Sequence, residues 1–215
     1  MRILFLDASS RISETAFSEN GKTIFHNILT ESEGADMIVH ELKRSFSEYG
    51  IDPGTIEYLS LSNGPGSFTG LRIGSSIAKG ICFVTGCRLI ELSTLDILAN
   101  IAPVGEKIIS LIPSNPKTME YYYSEYEKTD GQLKRITEYT FGFISEIEDS
   151  SAVFITKQEN FKTLKELIGP GLLNTSAEDL MKSQMDLTLN KITAREFTHP
   201  EDSIPVYIKE FIPKN

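Results

Sequence analysis

The sequence predicts an α/β protein made of two similar halves, each opening with three strands followed by a helix. Three observations lead to this prediction. Short apolar segments alternate with helical periodicity along the chain, Asn-Gly and Asp-Gly pairs mark hairpins, and the second half repeats the order of elements of the first. A break at Ala102-Pro103-Val104-Gly105 gives two predicted domains, 1–104 and 105–215.

The first half is predicted to have the order βββαβαβα. An apolar run at residues 3–6 indicates a buried strand. Two further strands flank Asn20-Gly21, a pair that suits a type I′ turn because both residues adopt positive φ readily. The remaining predicted elements are a helix over 34–49 that stops at Gly50, a strand over 57–62, a helix over 69–84, a strand over 88–91 and a helix over 94–101.

The second half is predicted to repeat this pattern as βββαβα. Asp130-Gly131 indicates a hairpin between its second and third strands. The predicted elements are strands over 107–112, 119–127 and 133–141, a short helical piece over 144–147, a strand over 152–155, helices over 159–167 and 177–185, and an extended stretch over 203–209.

A glycine-rich loop joins the fourth strand to the second long helix, at Asn63-Gly64-Pro65-Gly66. Backbone N–H groups at such a junction suit an anion or another stretch of backbone, and these alternatives stay open. The spacing fits neither the P-loop nor the dinucleotide fingerprint. Candidate contacts to an anion or nucleotide are Asp7, Ser9, Gly64 and Gly66.

The second long helix carries two distinct faces. An apolar stripe is predicted to pack on the sheet, and it consists of Ile73, Ile77, Ile81 and Val84. A small-residue stripe, Gly70, Gly74 and Ala78, predicts a close approach, because glycine costs a helix about 0.5–1 kcal/mol. This stripe packs either on the first helix of the same domain or against another chain. In the second case, leucine at Gly74 or Ala78 is expected to disrupt pairing and leave the fold intact.

Arg72 lies in the first turn of this helix, where the helix dipole disfavours a cation by roughly 0.3–1 kcal/mol. We infer an anionic neighbour: Asp7, a partner's carboxylate or a phosphate. The alternative is a solvated arginine whose stem lies on the surface.

Composition excludes several classes of protein. A net charge of −9 argues against a surface that binds nucleic acid alone, because neutralising phosphates requires clustered Lys and Arg. No stretch approaches ~18 apolar residues, and the N-terminal apolar run is too short for a signal peptide, so we expect a cytoplasmic protein. The cysteines, Cys82 and Cys87, are expected to be reduced and buried.

The usual catalytic motifs do not occur. No pair of His or Cys residues has the spacing of metal ligands, and no Gly-x-Ser-x-Gly is found. We therefore predict no catalytic residue, no metal site and no cofactor.

The chain resembles the bacterial TsaB (YeaZ) family at four places. The family's signature is matched at every position by Gly64-Pro65-Gly66-Ser67-Phe68-Thr69-Gly70-Leu71-Arg72-Ile73-Gly74. Residues 3–9 resemble its opening strand, which usually ends in Asp-Thr-Ser and here ends in Asp7-Ala8-Ser9. Residues 92–99 and 205–209 are similar to its Ser-Ser-Leu-Asp-x-Leu-Ala and Pro-x-Tyr-Leu-Arg stretches.

The resemblance implies an actin/Hsp70/sugar-kinase-like (ASKHA) fold. It also implies a role in forming N6-threonylcarbamoyladenosine at position 37 of tRNAs that read ANN codons. In that family TsaB is a non-catalytic subunit. It pairs with the paralogue TsaD and with the ATPase TsaE, forms a homodimer when alone, and meets tRNA only through the complex.

The resemblance further implies that the first and second helices form a seam with the partner. The predicted interface residues are Ile38, Glu41, Leu42, Ser45, Gly70, Arg72, Gly74, Ser75 and Ala78. The metal-binding His-x-x-x-His of TsaD is missing from the corresponding helix, which begins at residues 92–96. The family's Asp-Ala-Arg is replaced by Asn115-Pro116-Lys117, which puts any role of that loop in question.

Two rival functions remain. A small ATP-dependent phosphotransferase of the same superfamily would use Asp7, Ser9 and the glycine loop around ATP. A peptidase rests only on an older naming, and the sequence offers neither a nucleophile with a base nor a metal motif for it.

Overall fold

A computed structural model describes residues 1–30, 37–115, 119–147 and 151–208. The chain forms two compact units. Unit 1 comprises Met1–Thr94 and Met181–Pro205, and unit 2 comprises Leu95–Leu180 and the described residues from Val206 onward. The boundary predicted after residue 104 stays a prediction.

Unit 1 is built on a mixed five-stranded sheet. Its strands are β1 (Arg2–Asp7), β2 (Ser13–Glu19), β3 (Lys22–Leu29), β4 (Tyr58–Ser62) and β5 (Arg88–Leu92). The spatial order is β3-β2-β1-β4-β5. β1, β2 and β3 pair antiparallel, whereas β1, β4 and β5 pair parallel. The predicted hairpin is confirmed, because Asn20 and Gly21 have φ of 51° and 80°.

The helices begin and end close to their predicted limits, with one large exception. They are α1 (Ile38–Glu48), α2 (Phe68–Thr85), α3 (Thr94–Ala99), α4 (Gln158–Ile168) and α5 (Ala177–Ala194). Residues 34–36 of the predicted first helix lie outside the described residues. The last helix was expected to end at residue 185, but Leu189 and Ile192 continue its apolar spacing and pack with Met181 on the sheet.

Both faces of the first sheet are covered, and the central strand β1 is therefore buried on both sides. Leu4 and Leu6 of β1 face a core that includes residues of α1 and α2. Ile3 and Phe5 face the opposite way and pack with α5. Alternation along one strand therefore supplies two separate cores.

Unit 2 repeats this order of strands. Its sheet contains β6 (Lys107–Asn115), β7 (Glu120–Thr129), β8 (Gln132–Arg135), β9 (Thr140–Phe143), β10 (Val153–Ile155) and β11 (Leu172–Leu173). The order is β11-β10-β6-β7-β8, with β9 also paired to β7. Since β6 pairs antiparallel with β7 and parallel with β10, it takes the place that β1 has in the first sheet. The predicted duplication is confirmed.

Three elements predicted for the second half of the chain differ in detail. The strand expected over 133–141 is two strands, because Thr137 takes the Glu125 N–H on its side-chain hydroxyl and interrupts the ladder. The helical piece at Ile144–Glu146 is a single 3-10 turn. Residues 203–208 form neither a helix nor a strand, and Lys209 of the expected extended stretch lies outside the described residues.

Candidate functional site

The glycine-rich loop folds against the turn that follows β1. The Ser67 N–H donates to the Ser9 carbonyl oxygen at 2.7 Å. A Cβ atom on Gly66 would overlap that same oxygen, and one on Gly70 would overlap the Ala8 carbonyl oxygen. The loop therefore packs against another stretch of backbone of the same chain, and the predicted contact to an anion stays a prediction.

The other candidate anion contacts also have partners within unit 1. The Asp7 carboxylate accepts hydrogen bonds from the Ser9 N–H at 2.8 Å and from the Ser9 hydroxyl at 2.6 Å. The Gly64 carbonyl oxygen accepts from the Thr94 N–H at 2.8 Å. Asp7, Ser9 and Gly66 thus lie together at one end of the sheet, where Asp7 organises the turn on which the loop closes.

Beside the loop lies a polar cluster that sequence analysis missed. The Asn63 side-chain amide donates to the Glu91 carboxylate at 2.8 Å and to the Ile204 carbonyl oxygen at 2.9 Å. The Ser203 hydroxyl donates to the same Glu91 oxygen. Because these residues are distant in sequence, no local spacing could have indicated the cluster.

Helix α2 turns its small residues toward the sheet of its own unit. Its buried residues are Gly70, Leu71, Gly74, Ser75, Ala78 and Cys82. A Cβ on Gly74 would lie 3.4 Å from the Ala8 Cβ and 3.5 Å from the Leu61 Cδ1. At Gly70 and Gly74 this stripe therefore contacts β4 and the turn after β1, whereas Ala78 belongs to the core that also contains Leu42 of α1.

Two predictions for α2 need correction: the packing of its isoleucine stripe and the effect of leucine at Gly74. The isoleucine stripe does not pack flat on the sheet, since Ile73, Ile77 and Ile81 are half-buried and Val84 is exposed. A leucine at Gly74 would press on Ala8 and Leu61 inside the unit, so we expect it to lower stability and not to leave the fold intact.

The predicted interface residues of α1 are mostly interior as well. Ile38, Leu42 and Ser45 are buried, and the Ser45 hydroxyl accepts a hydrogen bond from Asn27 at 2.8 Å. Glu41 is half-buried and pairs with Arg44. Of the predicted interface set, Arg72 is the residue that is exposed to solvent.

Arg72 makes its described contact within its own helix. The guanidinium carbon lies 3.8 Å from the centroid of the Phe68 ring, an arrangement that attracts a cation to the face of the ring. The anionic neighbour that we inferred for Arg72 stays a prediction.

An apolar groove of about 760 Å³ lies between α1 and α2, next to the turn at Pro53–Thr55. The aliphatic and aromatic residues that line it are Val39, Leu42, Phe46, Ile51, Pro53, Ile77 and Ile81. Gly80 also lines it, and nothing lies within 4 Å of where its Cβ would be. The groove was missed because the half-buried isoleucines were assigned to the sheet.

The apolar surface extends past the groove to the end of α2. There Phe83 is 89% exposed and Val84 is 82% exposed, while Val39 on α1 is 57% exposed. Helical spacing places Ile77, Gly80 and Val84 on one side of α2. We call the combined area of Val39, Ile77, Gly80, Ile81, Phe83 and Val84 the α1–α2 surface.

Unit 2 contains a carboxylate held by two tyrosines. Asp96 accepts hydrogen bonds from the Tyr126 hydroxyl at 2.7 Å and from the Tyr139 hydroxyl at 2.9 Å. Burial, followed by the negative charge of Asp96, raises the pKa of Tyr126 well above its usual range. This geometry fixes α3 to β7 and its neighbouring segment.

Within the described ranges, no group of three or more His, Cys, Asp or Glu side chains is arranged to hold a metal ion. None of the helices described is long and apolar enough to cross a membrane.

The repeated mixed sheets, each with a central strand paired antiparallel on one side and parallel on the other, define the actin/Hsp70/sugar-kinase-like class. A family model for TsaD, tRNA N6-adenosine threonylcarbamoyltransferase, matches residues 30–180. The chain belongs to this family, and within it to the TsaB (YeaZ) proteins.

Individual relatives agree with this placement. The tRNA threonylcarbamoyladenosine biosynthesis protein TsaB of Escherichia coli is 29% identical over 134 residues, covering 62% of this chain and 58% of the relative. TsaB of Haemophilus influenzae is 27% identical over 128 residues, covering 58% of this chain and 53% of the relative. The chain thus spans little more than half the length of these two relatives.

A solved structure of YeaZ from Pseudomonas aeruginosa shares the fold. It superposes with a TM-score of 0.76 at 20% identity, covering 96% of this chain and 100% of that one.

Proposed function

We propose that this chain is a non-catalytic, cytoplasmic subunit in the formation of N6-threonylcarbamoyladenosine at position 37 of tRNAs that read ANN codons. It binds and supports a TsaD-like paralogue, which transfers the threonylcarbamoyl group, and a TsaE-like ATPase joins the complex. Membership of the TsaD family and the names of the TsaB relatives support this assignment.

The observation that carries the proposal is the exposed α1–α2 surface. A contiguous apolar area on a folded protein marks a site of protein association. The residues matched by the TsaD family model, 30–180, include both α1 and α2. A TsaD-like paralogue therefore carries a corresponding pair of helices, and two such pairs can bury their apolar sides against each other.

The residues that meet the partner are those at the surface. Val39, Ile77, Phe83 and Val84 make the contact, with Arg72 at its edge. The buried residues of the same helices, such as Leu42 and Ala78, hold these side chains in place from within unit 1. In the absence of the paralogue, a second copy of this chain covers the same surface and gives a homodimer.

The glycine loop supports a subunit role over a phosphotransferase. Its Ser67 N–H is directed at the Ser9 carbonyl oxygen of the same chain, and Gly66 and Gly70 make room for that turn. These contacts give the glycines a structural reason that needs no nucleotide.

Reconstitution tests the proposal. The chain, the paralogue from the same genome, a TsaE-like ATPase and unmodified tRNA are mixed with the threonylcarbamoyl donor, and the modified nucleoside is measured by mass spectrometry. We expect modification only when both the chain and the paralogue are present. Modification by the chain alone, or unchanged modification without it, contradicts the proposal.

Tight Mg·ATP binding by the isolated chain, with turnover lost on Asp7→Ala, favours the phosphotransferase instead.

A further inference from the structure

The two cysteines of the chain are in direct contact. Cys82 lies in the last turn of α2, and Cys87 immediately precedes β5. Their sulfur atoms are 2.9 Å apart, roughly 0.9 Å longer than the ~2.05 Å of a disulfide bond. Both residues are buried, and neither takes part in the proposed function.

The end of α2 explains why these two side chains meet. Gly86 adopts the left-handed conformation, with φ of 73°, and its N–H donates to the Cys82 carbonyl oxygen at 2.9 Å. This turn brings the next residue back beneath the helix. The Cys87 N–H then donates to the Thr85 hydroxyl at 3.2 Å, which holds the returning chain in place.

The two thiols differ in acidity. The hydrogen bond from Cys82 is the main cause that lowers the pKa of Cys87 to about 7, and burial partly opposes it. The same hydrogen bond and burial raise the pKa of Cys82. The hydrogen bond between the sulfurs therefore favours the loss of one proton from the pair, because the remaining thiol donates to the thiolate that forms, and the thiolate is the form that reacts with oxidants.

We propose that Cys82 and Cys87 form a redox-active dithiol that a peroxide converts to an intramolecular disulfide and a thiol reductant restores. The Cys87 thiolate attacks one peroxide oxygen and becomes a sulfenic acid, while the other oxygen leaves as water after taking up a proton. The Cys82 sulfur then attacks the Cys87 sulfur, and the sulfenic oxygen leaves as a second water. Two thiols lose two electrons and two protons, and one peroxide is reduced to two waters.

The position of the pair gives this reaction a structural effect. The disulfide closes a loop of six residues at the end of α2, and the loop contains the exposed Phe83 and Val84. Closure ties the last turn of α2 to the start of β5. The dithiol itself does not depend on the proposed role in tRNA modification.

Hydrogen peroxide followed by mass spectrometry tests the inference on the full chain. Because the chain has two cysteines, every thiol that reacts belongs to this pair. After denaturation in N-ethylmaleimide, we expect two adducts on the untreated protein, none after peroxide, and two again after dithiothreitol. Proteolysis should yield a peptide that joins Cys82 to Cys87.

Two single variants provide the matched controls. Cys82→Ser should stop at a sulfenic acid on Cys87, which dimedone traps, and Cys87→Ser should react more slowly and give no internal disulfide. Two adducts persisting after peroxide treatment, or disulfides that join only separate chains on a non-reducing gel, would overturn the inference.

Discussion

At Gly66 and Gly70, backbone carbonyl oxygens already occupy the space that a single additional carbon atom would need. The Ser9 and Ala8 carbonyl oxygens fill these positions, so each glycine is required by a close approach and not by an unusual φ. Gly80 is the opposite case in the same helix, since nothing lies within 4 Å of its missing Cβ.

This contrast gives a stability prediction with an internal control. Gly70→Ala should lower the free energy of unfolding by about 1–3 kcal/mol or more, because backbone must move to admit the methyl group. Gly80→Ala should raise it by about 0.5–1 kcal/mol, because alanine loses less conformational entropy in a helix. Urea denaturation of the two variants measures both effects. Equal shifts in the same direction would show that the loop is not closed on the turn after β1.

The Tyr126 hydroxyl provides a second residue-scale prediction. Tyr126→Phe removes a donor to Asp96, and we expect the free energy of unfolding to fall by about 1–3 kcal/mol. The unfolded chain ionises tyrosine near pH ~10, whereas folded Tyr126 keeps its proton. The wild type should therefore lose stability as pH rises past that value, and Tyr126→Phe should lose less.

Tyr122→Phe is the matched control for this experiment. Tyr122 lies on the same strand and contacts the Phe141 ring, a contact that phenylalanine preserves. Its effect should stay within about 0.5 kcal/mol. If both variants behave alike near neutral pH and above pH ~10, the Asp96 hydrogen bond contributes nothing to stability.

At the scale of elements, helix α2 shows what sequence patterns could and could not predict. The two faces and the helix limits were predictable from periodicity, and Ser67 and Gly86 cap the helix at its ends. The pattern alone could not decide which face meets the sheet. The glycines allow the helix axis to approach the sheet closely, and that close packing displaces the larger isoleucines toward the groove.

The α1–α2 surface leads to a prediction about partner binding. Val39→Asp places a charge in the apolar contact and should weaken binding of the TsaD-like paralogue at least about tenfold, since burying an unpaired carboxylate is costly. Titration calorimetry measures the affinity, and size-exclusion chromatography follows any homodimer. The thermal unfolding midpoint should change little, because Val39 is mostly exposed.

Leu167→Asp is the control for this variant. Leu167 is an exposed aliphatic residue of α4 with 47% exposure, and it lies outside the groove. Its substitution should leave paralogue binding unchanged. If Val39→Asp binds as tightly as Leu167→Asp, the paralogue docks elsewhere.

At the scale of the whole molecule, the fold was predictable because the same strand order occurs twice. The pairs Asn20-Gly21 and Asp130-Gly131 predicted two hairpins and therefore the antiparallel strands on either side of them. All four residues adopt positive φ in the structure. The polar clusters around Asn63 and Asp96 were not predictable, because each joins segments that only the tertiary fold brings together. Local patterns specify elements, whereas contacts between distant elements depend on register and packing.

The overall charge gives a prediction about RNA. The isolated chain has a net charge of −9. At physiological salt it should bind tRNA no more tightly than serum albumin, a control protein that also carries a net negative charge. Fluorescence anisotropy with labelled tRNA measures this affinity. After the TsaD-like paralogue is added, the labelled tRNA should bind to a complex that contains this chain. Strong, salt-sensitive binding by the isolated chain would contradict the indirect role.

The closure of the glycine loop on the turn after β1 has a consequence for how such sequences can diverge. The atoms nearest to the missing Cβ of Gly66 and of Gly70 are main-chain oxygens, which every amino acid supplies, so a substitution at residue 8 or 9 does not remove the need for either glycine. In a saturation mutagenesis screen scored by folding, almost no residue should therefore replace Gly66, and no second change at Ser9 should rescue such a variant.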